Sequence, residues 1–149
     1  MRRTRRVSDA EEMRALGAAF GRAARAGDVV LLEGPFGAGK TTFVQGLASG
    51  LGIAAGVTSP SFVIETQYRG RLPLYHVDLY RLEHVEPDLL EGLEEHLYGD
   101  GVTAVEWADR LPPGVPEQAT RVRIELDGDA RTVHVESDQA HMIGAFKEP

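Results

Sequence analysis

At 149 residues the chain has the length of one domain with one core, and its apolar content of 42% and charged content of 26% are those of a globular protein. A net charge of −7 argues against autonomous nucleic-acid binding, which needs a basic face, and the absence of cysteine excludes disulfides, thiolate catalysis and cysteine-ligated metals. No apolar run approaches the roughly 18 residues of a membrane helix. The basic start Met1-Arg2-Arg3-Thr4-Arg5-Arg6 leads into Ser8-Asp9 rather than an apolar stretch, so no secretory signal is expected and the cytoplasm is the expected location.

Residues 1–7 read as a basic, solvated tail, with a local basic contact as the alternative. Ser8 and Glu11 have capping-box spacing ahead of Met13, Leu16, Phe20 and Ala24, which recur at helical intervals, and Gly27 suits the stop. Residues 29–32 form an apolar run without alternation, the signature of a strand covered on both faces. A helix is predicted over 41–51, with Phe43, Val44, Leu47 and Leu51 on one side. Residues 57–62 read as a loop around Pro60. Strands follow at 62–68 and 72–78 about a turn at Gly70, then an acidic helix at 86–98 and a strand at 103–107. A hairpin over 120–126 and 131–136 turns at Asp127-Gly128-Asp129. The expected fold is α/β: one domain over residues 1–137 with a mixed central sheet flanked by helices, and a tail over 138–149.

The stretch Gly34-Pro35-Phe36-Gly37-Ala38-Gly39-Lys40-Thr41 matches the phosphate-loop pattern in full. Glycine at 34, 37 and 39 lets a phosphate chain approach the backbone, and successive N–H groups and the start of the following helix then face the anion. Lys40 supplies a compact charge for the β- and γ-phosphates and Thr41 a hydroxyl for magnesium. Only Lys40 and Lys147 are lysines, against fourteen arginines; a guanidinium is too broad for such a cradle. A GxGxxG dinucleotide site does not fit. The chain has no asparagine, which excludes guanine reading of the Asn-Lys-x-Asp kind and leaves ATP as the leading nucleotide. The magnesium site also needs an acid at a neighbouring strand end, and Asp78 and Glu106 both qualify on pattern. Trp107, the single tryptophan, follows Glu106 where the strand gives way to a loop, either beside the nucleotide or in the core.

Four motifs in order, Gly37-Ala38-Gly39-Lys40-Thr41-Thr42-Phe43, Thr58-Ser59-Pro60-Ser61-Phe62, His76-Val77-Asp78-Leu79-Tyr80-Arg81 and Glu106-Trp107, resemble the TsaE family over residues 10–135. The resemblance implies a small P-loop NTPase that binds TsaD and TsaB and hydrolyses ATP with Mg2+. It would thereby support threonylcarbamoyl transfer to tRNA, touching the tRNA only through that complex and no membrane. It implies Thr41 and Glu106 as magnesium ligands, residues 58–62 as a switch-like loop near the γ-phosphate, and Asp78 near the nucleotide, where it is the candidate for orienting the attacking water. The nucleotide-binding candidates are Gly34, Gly37, Ala38, Gly39, Lys40, Thr41, Thr42, Ser61 and Trp107; Lys40 and Asp78 are the catalytic ones. The chain departs from the family at Pro35-Phe36, where Asp-Leu is common, and at Ser61, where threonine is common. No general base stands out, which suits slow turnover and activation by a partner. The rival readings are a P-loop small-molecule kinase, with Arg69 and Arg71 as a lid, and a nucleotide switch without hydrolysis.

Overall fold

The computed structural model describes residues 1–54, 56–57 and 65–146. Among these, strands β1 (Arg2–Val7), β2 (Val29–Glu33), β3 (Glu65–Tyr68), β4 (Leu74–Asp78), β5 (Val102–Glu106), β6 (Thr120–Asp127) and β7 (Ala130–Glu136) form one sheet in the order β1-β7-β6-β2-β5-β4-β3. The helices are α1 (Ala10–Ala23), α2 (Lys40–Gly50), α3 (Pro87–Glu94) and α4 (Ala140–Ile143), with a 3-10 turn at Ala108–Arg110. β2 lies between β5 and β6, parallel to both, and β4 runs parallel to β5. The pairs β1–β7, β6–β7 and β3–β4 are antiparallel. The sheet is therefore mixed.

The unbroken apolar run of β2 has a direct cause. Val30 and Leu32 enter the core cluster that holds Phe20 of α1 and Phe43 and Leu47 of α2, whereas Val29 and Leu31 enter a second cluster with Val77, Val105 and Leu93 of α3. Side chains alternate across a strand, so a strand covered on both faces has no polar side to show.

α1 and α2 pack backbone to backbone. A Cβ at Gly17 would lie 2.2 Å from Phe43 O, at Gly21 2.2 Å from Leu47 O, at Gly46 2.0 Å from Arg14 O and at Gly50 2.2 Å from Ala18 O. Each helix carries its pair of glycines four residues apart, on one face. Glycine weakens a helix interior, and here the close helix contact requires it.

Both termini correct the sequence reading. Residues 1–7 are not a solvated tail but contribute β1, which pairs along its whole length with β7 and buries Val7. Its arginine charge is offset by Glu136, 2.7 Å from Arg2, and by Asp127, 3.1 Å from Arg6. Of residues 138–149, those to 146 are described, and they are not a tail: α4 places Met142, Ile143 and Phe146 in the core, with the Phe146 ring 6.3 Å from that of Phe20. The α1 cap is shifted by one residue. Asp9, not Ser8, accepts from Glu12 N at 2.8 Å, and the Glu12 carboxylate accepts from Ser8 N at 3.1 Å. The acidic helix is shorter than 86–98, because Pro87 opens it and a turn follows Glu94.

Candidate nucleotide-binding site

β2 ends at Glu33, α2 begins at Lys40, and the loop between them lies at the C-terminal ends of the parallel strands. Gly37 and Gly39 have φ of 78° and 111°, in the left-handed region that glycine alone adopts freely. Gly34 has a further reason to be glycine: a Cβ there would meet Ile124 O of β6 at 2.7 Å. Around Gly37 a Cβ would meet nothing within 4 Å. Gly39 caps α2 without a side-chain acceptor, and the first turn of that helix holds no acidic residue. The N-terminus of α2 is therefore electropositive as far as the helix itself is concerned.

Lys40 places a buried ammonium in this site. It is 5% exposed, and its Nζ donates to Gly34 O at 2.6 Å and to Pro35 O at 2.9 Å. Burial lowers its pKa below the usual lysine value, while Glu106, Asp78 and Asp109 draw it back upward. Its face partner is Trp107, whose ring centre lies 4.1 Å from Nζ. Trp107 reaches that place because the backbone turns directly after β5, at φ 59°. A regular strand would send Glu106 and Trp107 to opposite faces; the turn lets both stand at the loop. Tyr80 packs on Trp107 at 5.1 Å and exposed Phe36 on Tyr80 at 5.6 Å, so an aromatic row borders the lysine.

The two strand-end acids lie side by side in register on β4 and β5, but they are turned to different tasks. Glu106 is 3% exposed, and the Thr41 hydroxyl lies 3.0 Å from each of its oxygens. His76 Nε2 lies 2.5 Å from Glu106 Oε2, and among the described residues its Nδ1 has no partner. Half-buried Asp78 accepts from Tyr80 N at 2.9 Å, pinning the turn that follows β4. A hydroxyl and a buried carboxylate in contact, beside a lysine, form the hard-oxygen donor set that suits magnesium carried on a phosphate chain. Among the described residues no group of three acidic or imidazole side chains could hold a metal by itself.

Buried Ala38 and half-buried Thr42 lie in the same loop and first helical turn. Residues 58–62, including Ser61, lie outside the described residues. Sequence reasoning missed two contacts. One is the imidazole on Glu106, although His76 opens the His76–Arg81 motif. The other is Arg131 of β7, whose Nε donates to Ala38 O at 3.1 Å and whose Nη2 donates to Gly37 O at 3.3 Å.

A parallel strand, a glycine loop ending in Lys40-Thr41, a helix starting there and a carboxylate from the next strand define a P-loop NTPase fold. The family model described as threonylcarbamoyl adenosine biosynthesis protein TsaE matches residues 7–133. The chain belongs to the TsaE family of tRNA threonylcarbamoyladenosine biosynthesis. The TsaE protein of Bacillus subtilis strain 168 is 45% identical over 125 residues, covering 83% of this chain and 78% of the relative. That of Treponema pallidum strain Nichols is 43% identical over 113 residues, covering 76% and 84%. The crystal structure of Bacillus subtilis YdiB superposes with a TM-score of 0.75 at 34% identity, covering 97% of this chain and 91% of that one.

Proposed function

We propose that the chain is an ATP-binding, magnesium-dependent ATPase that acts with TsaD and TsaB to support threonylcarbamoyladenosine modification of tRNA. The observation that carries this reading is the contact of Thr41 with buried Glu106 beside the buried ammonium of Lys40. Thr41 and Glu106 would hold the Mg2+, which when bound neutralises phosphate charge. Lys40 would exchange its two carbonyl acceptors for phosphate oxygens, and the first N–H groups of α2 would cradle the same anion. Asp78 is the candidate for orienting the attacking water. Trp107 and the aromatic row would exclude solvent from one side. The partners would meet the tRNA, and the chain would act with them in the cytoplasm; among the described residues no helix is long and apolar enough to cross a membrane.

A kinase lid is poorly supported. Arg71 donates to Gly21 O at 2.8 Å and Ala24 O at 2.9 Å, so it caps the end of α1 instead. The test is phosphate release from ATP by the chain alone, with TsaD and TsaB, and with tRNA added. The expected result is slow transfer to water that the partners accelerate and that Lys40→Ala abolishes with the fold intact by circular dichroism. Undiminished hydrolysis in folded Lys40→Ala, or phosphate found on an added metabolite, overturns it. Binding without single-turnover hydrolysis makes the chain a switch.

A further inference from the structure

β7 puts Val133 and Val135 into the core on the face covered by α1 and α2. Two residues earlier on the same face stands Arg131, where the apolar core ends and the phosphate loop begins. Its guanidinium is engaged on three sides: Nε to Ala38 O at 3.1 Å, Nη2 to Gly37 O at 3.3 Å and Nη1 to Ala130 O at 2.8 Å. The first two acceptors belong to successive peptides of the loop, and a planar fork of fixed N–H groups suits such a pair.

We propose that Arg131 is a positioning residue that braces the phosphate loop in its binding form; this rests on the nucleotide-binding reading above. A trans peptide holds its C=O and N–H on opposite sides. Turning Ala38 C=O toward Arg131 therefore turns Gly39 N–H the other way, to the side left for phosphate. Turning Gly37 C=O toward Arg131 likewise frees Ala38 N–H to donate to Pro35 O, as it does at 3.1 Å. The loop needs an outside brace because its glycines at 37 and 39 confer little conformational preference of their own. The brace comes from a residue 93 positions away from Ala38, so the late hairpin takes part in holding the loop.

The test uses the full chain with ATP or ADP and magnesium, by calorimetry, for wild type, Arg131→Ala and Arg131→Lys. Hydrogen exchange of the amides of residues 37–41 is followed in the nucleotide-free proteins, with thermal melting as control. Loss of two charge-assisted hydrogen bonds in Arg131→Ala is expected to weaken binding at least about tenfold. Exchange at 37–41 should accelerate while melting stays close to wild type. Arg131→Lys, with its charge but not its fork, should recover only part of the affinity. Wild-type affinity or unchanged exchange in Arg131→Ala overturns the brace. So does full recovery of affinity in Arg131→Lys with exchange still fast, which would mark a charge effect alone. If wild type binds neither nucleotide, the nucleotide reading fails, and the exchange at 37–41 still decides whether Arg131 holds the loop.

Discussion

Glu106 is a carboxylate that folding removes from water, and such a group persists only where hydrogen bonds or a cation compensate it. Thr41 and His76 supply the hydrogen bonds, and the proposed Mg2+ would supply the cation. Asp78 keeps more contact with solvent and spends one oxygen on the Tyr80 turn. Glu106→Gln should therefore weaken the magnesium dependence of ATP binding by about 10–100-fold, and Asp78→Asn should do so much less. Magnesium titrations at fixed ATP check this; the reverse ranking would make Asp78 the ligand. At this scale the sequence is informative where the chemistry is contiguous. Lys40 and Thr41 stand in one short motif. The choice between Asp78 and Glu106 is not legible from pattern, because both end parallel strands and only their rotation about neighbouring backbone separates them. Arg131 is invisible for a stronger reason: its partners lie far away in the chain, and no local rule forecasts an arginine donating to a loop carbonyl.

The helices show which local signals survive folding. The 3.6-residue recurrence of Met13, Leu16 and Phe20 locates α1, and all three side chains are buried. The cap slips by one because Ser8 and Asp9 are both good caps and Glu11 and Glu12 both acids, so spacing alone does not choose. The four glycines of the α1–α2 contact carry a spacing signal, four residues apart on each helix, that only the packed pair explains. Gly46→Ala should cost roughly 1–3 kcal/mol or more by overpacking, since the added carbon meets a backbone carbonyl that cannot move aside. Gly92→Ala in α3 is the control. Its Cβ meets nothing within 4 Å, and the gain in helix propensity of up to about 1 kcal/mol should appear. Denaturant midpoints of the two variants check the opposite signs; a destabilisation of equal size in both would remove the close-packing account.

Across the whole molecule the mixed sheet is legible, because β2 reads as doubly covered and the paired strands about Gly70 and Gly128 read as antiparallel additions. The termini are not. Four of the six residues of β1 are arginine, which reads as solvated until the partners Glu136 and Asp127 are brought alongside by β7. α4 spans four residues, too few to establish a period, yet Met142 and Phe146 are 0% and 2% exposed against α1 and the sheet. Phe146→Ala should therefore cost roughly 3–5 kcal/mol of stability, the range for a large aromatic removed from a core. A loss below about 0.5 kcal/mol, as at an ordinary surface position, would return the segment to the status of a tail.

The central claim is that the loop before α2 holds a nucleotide through Lys40, and calorimetric titration of ATP with magnesium into the wild type and Lys40→Ala tests it most directly. The account predicts saturable one-to-one binding by the wild type and at least about a hundredfold loss in a Lys40→Ala protein that melts like the wild type. Equal affinity in the two proteins would contradict it.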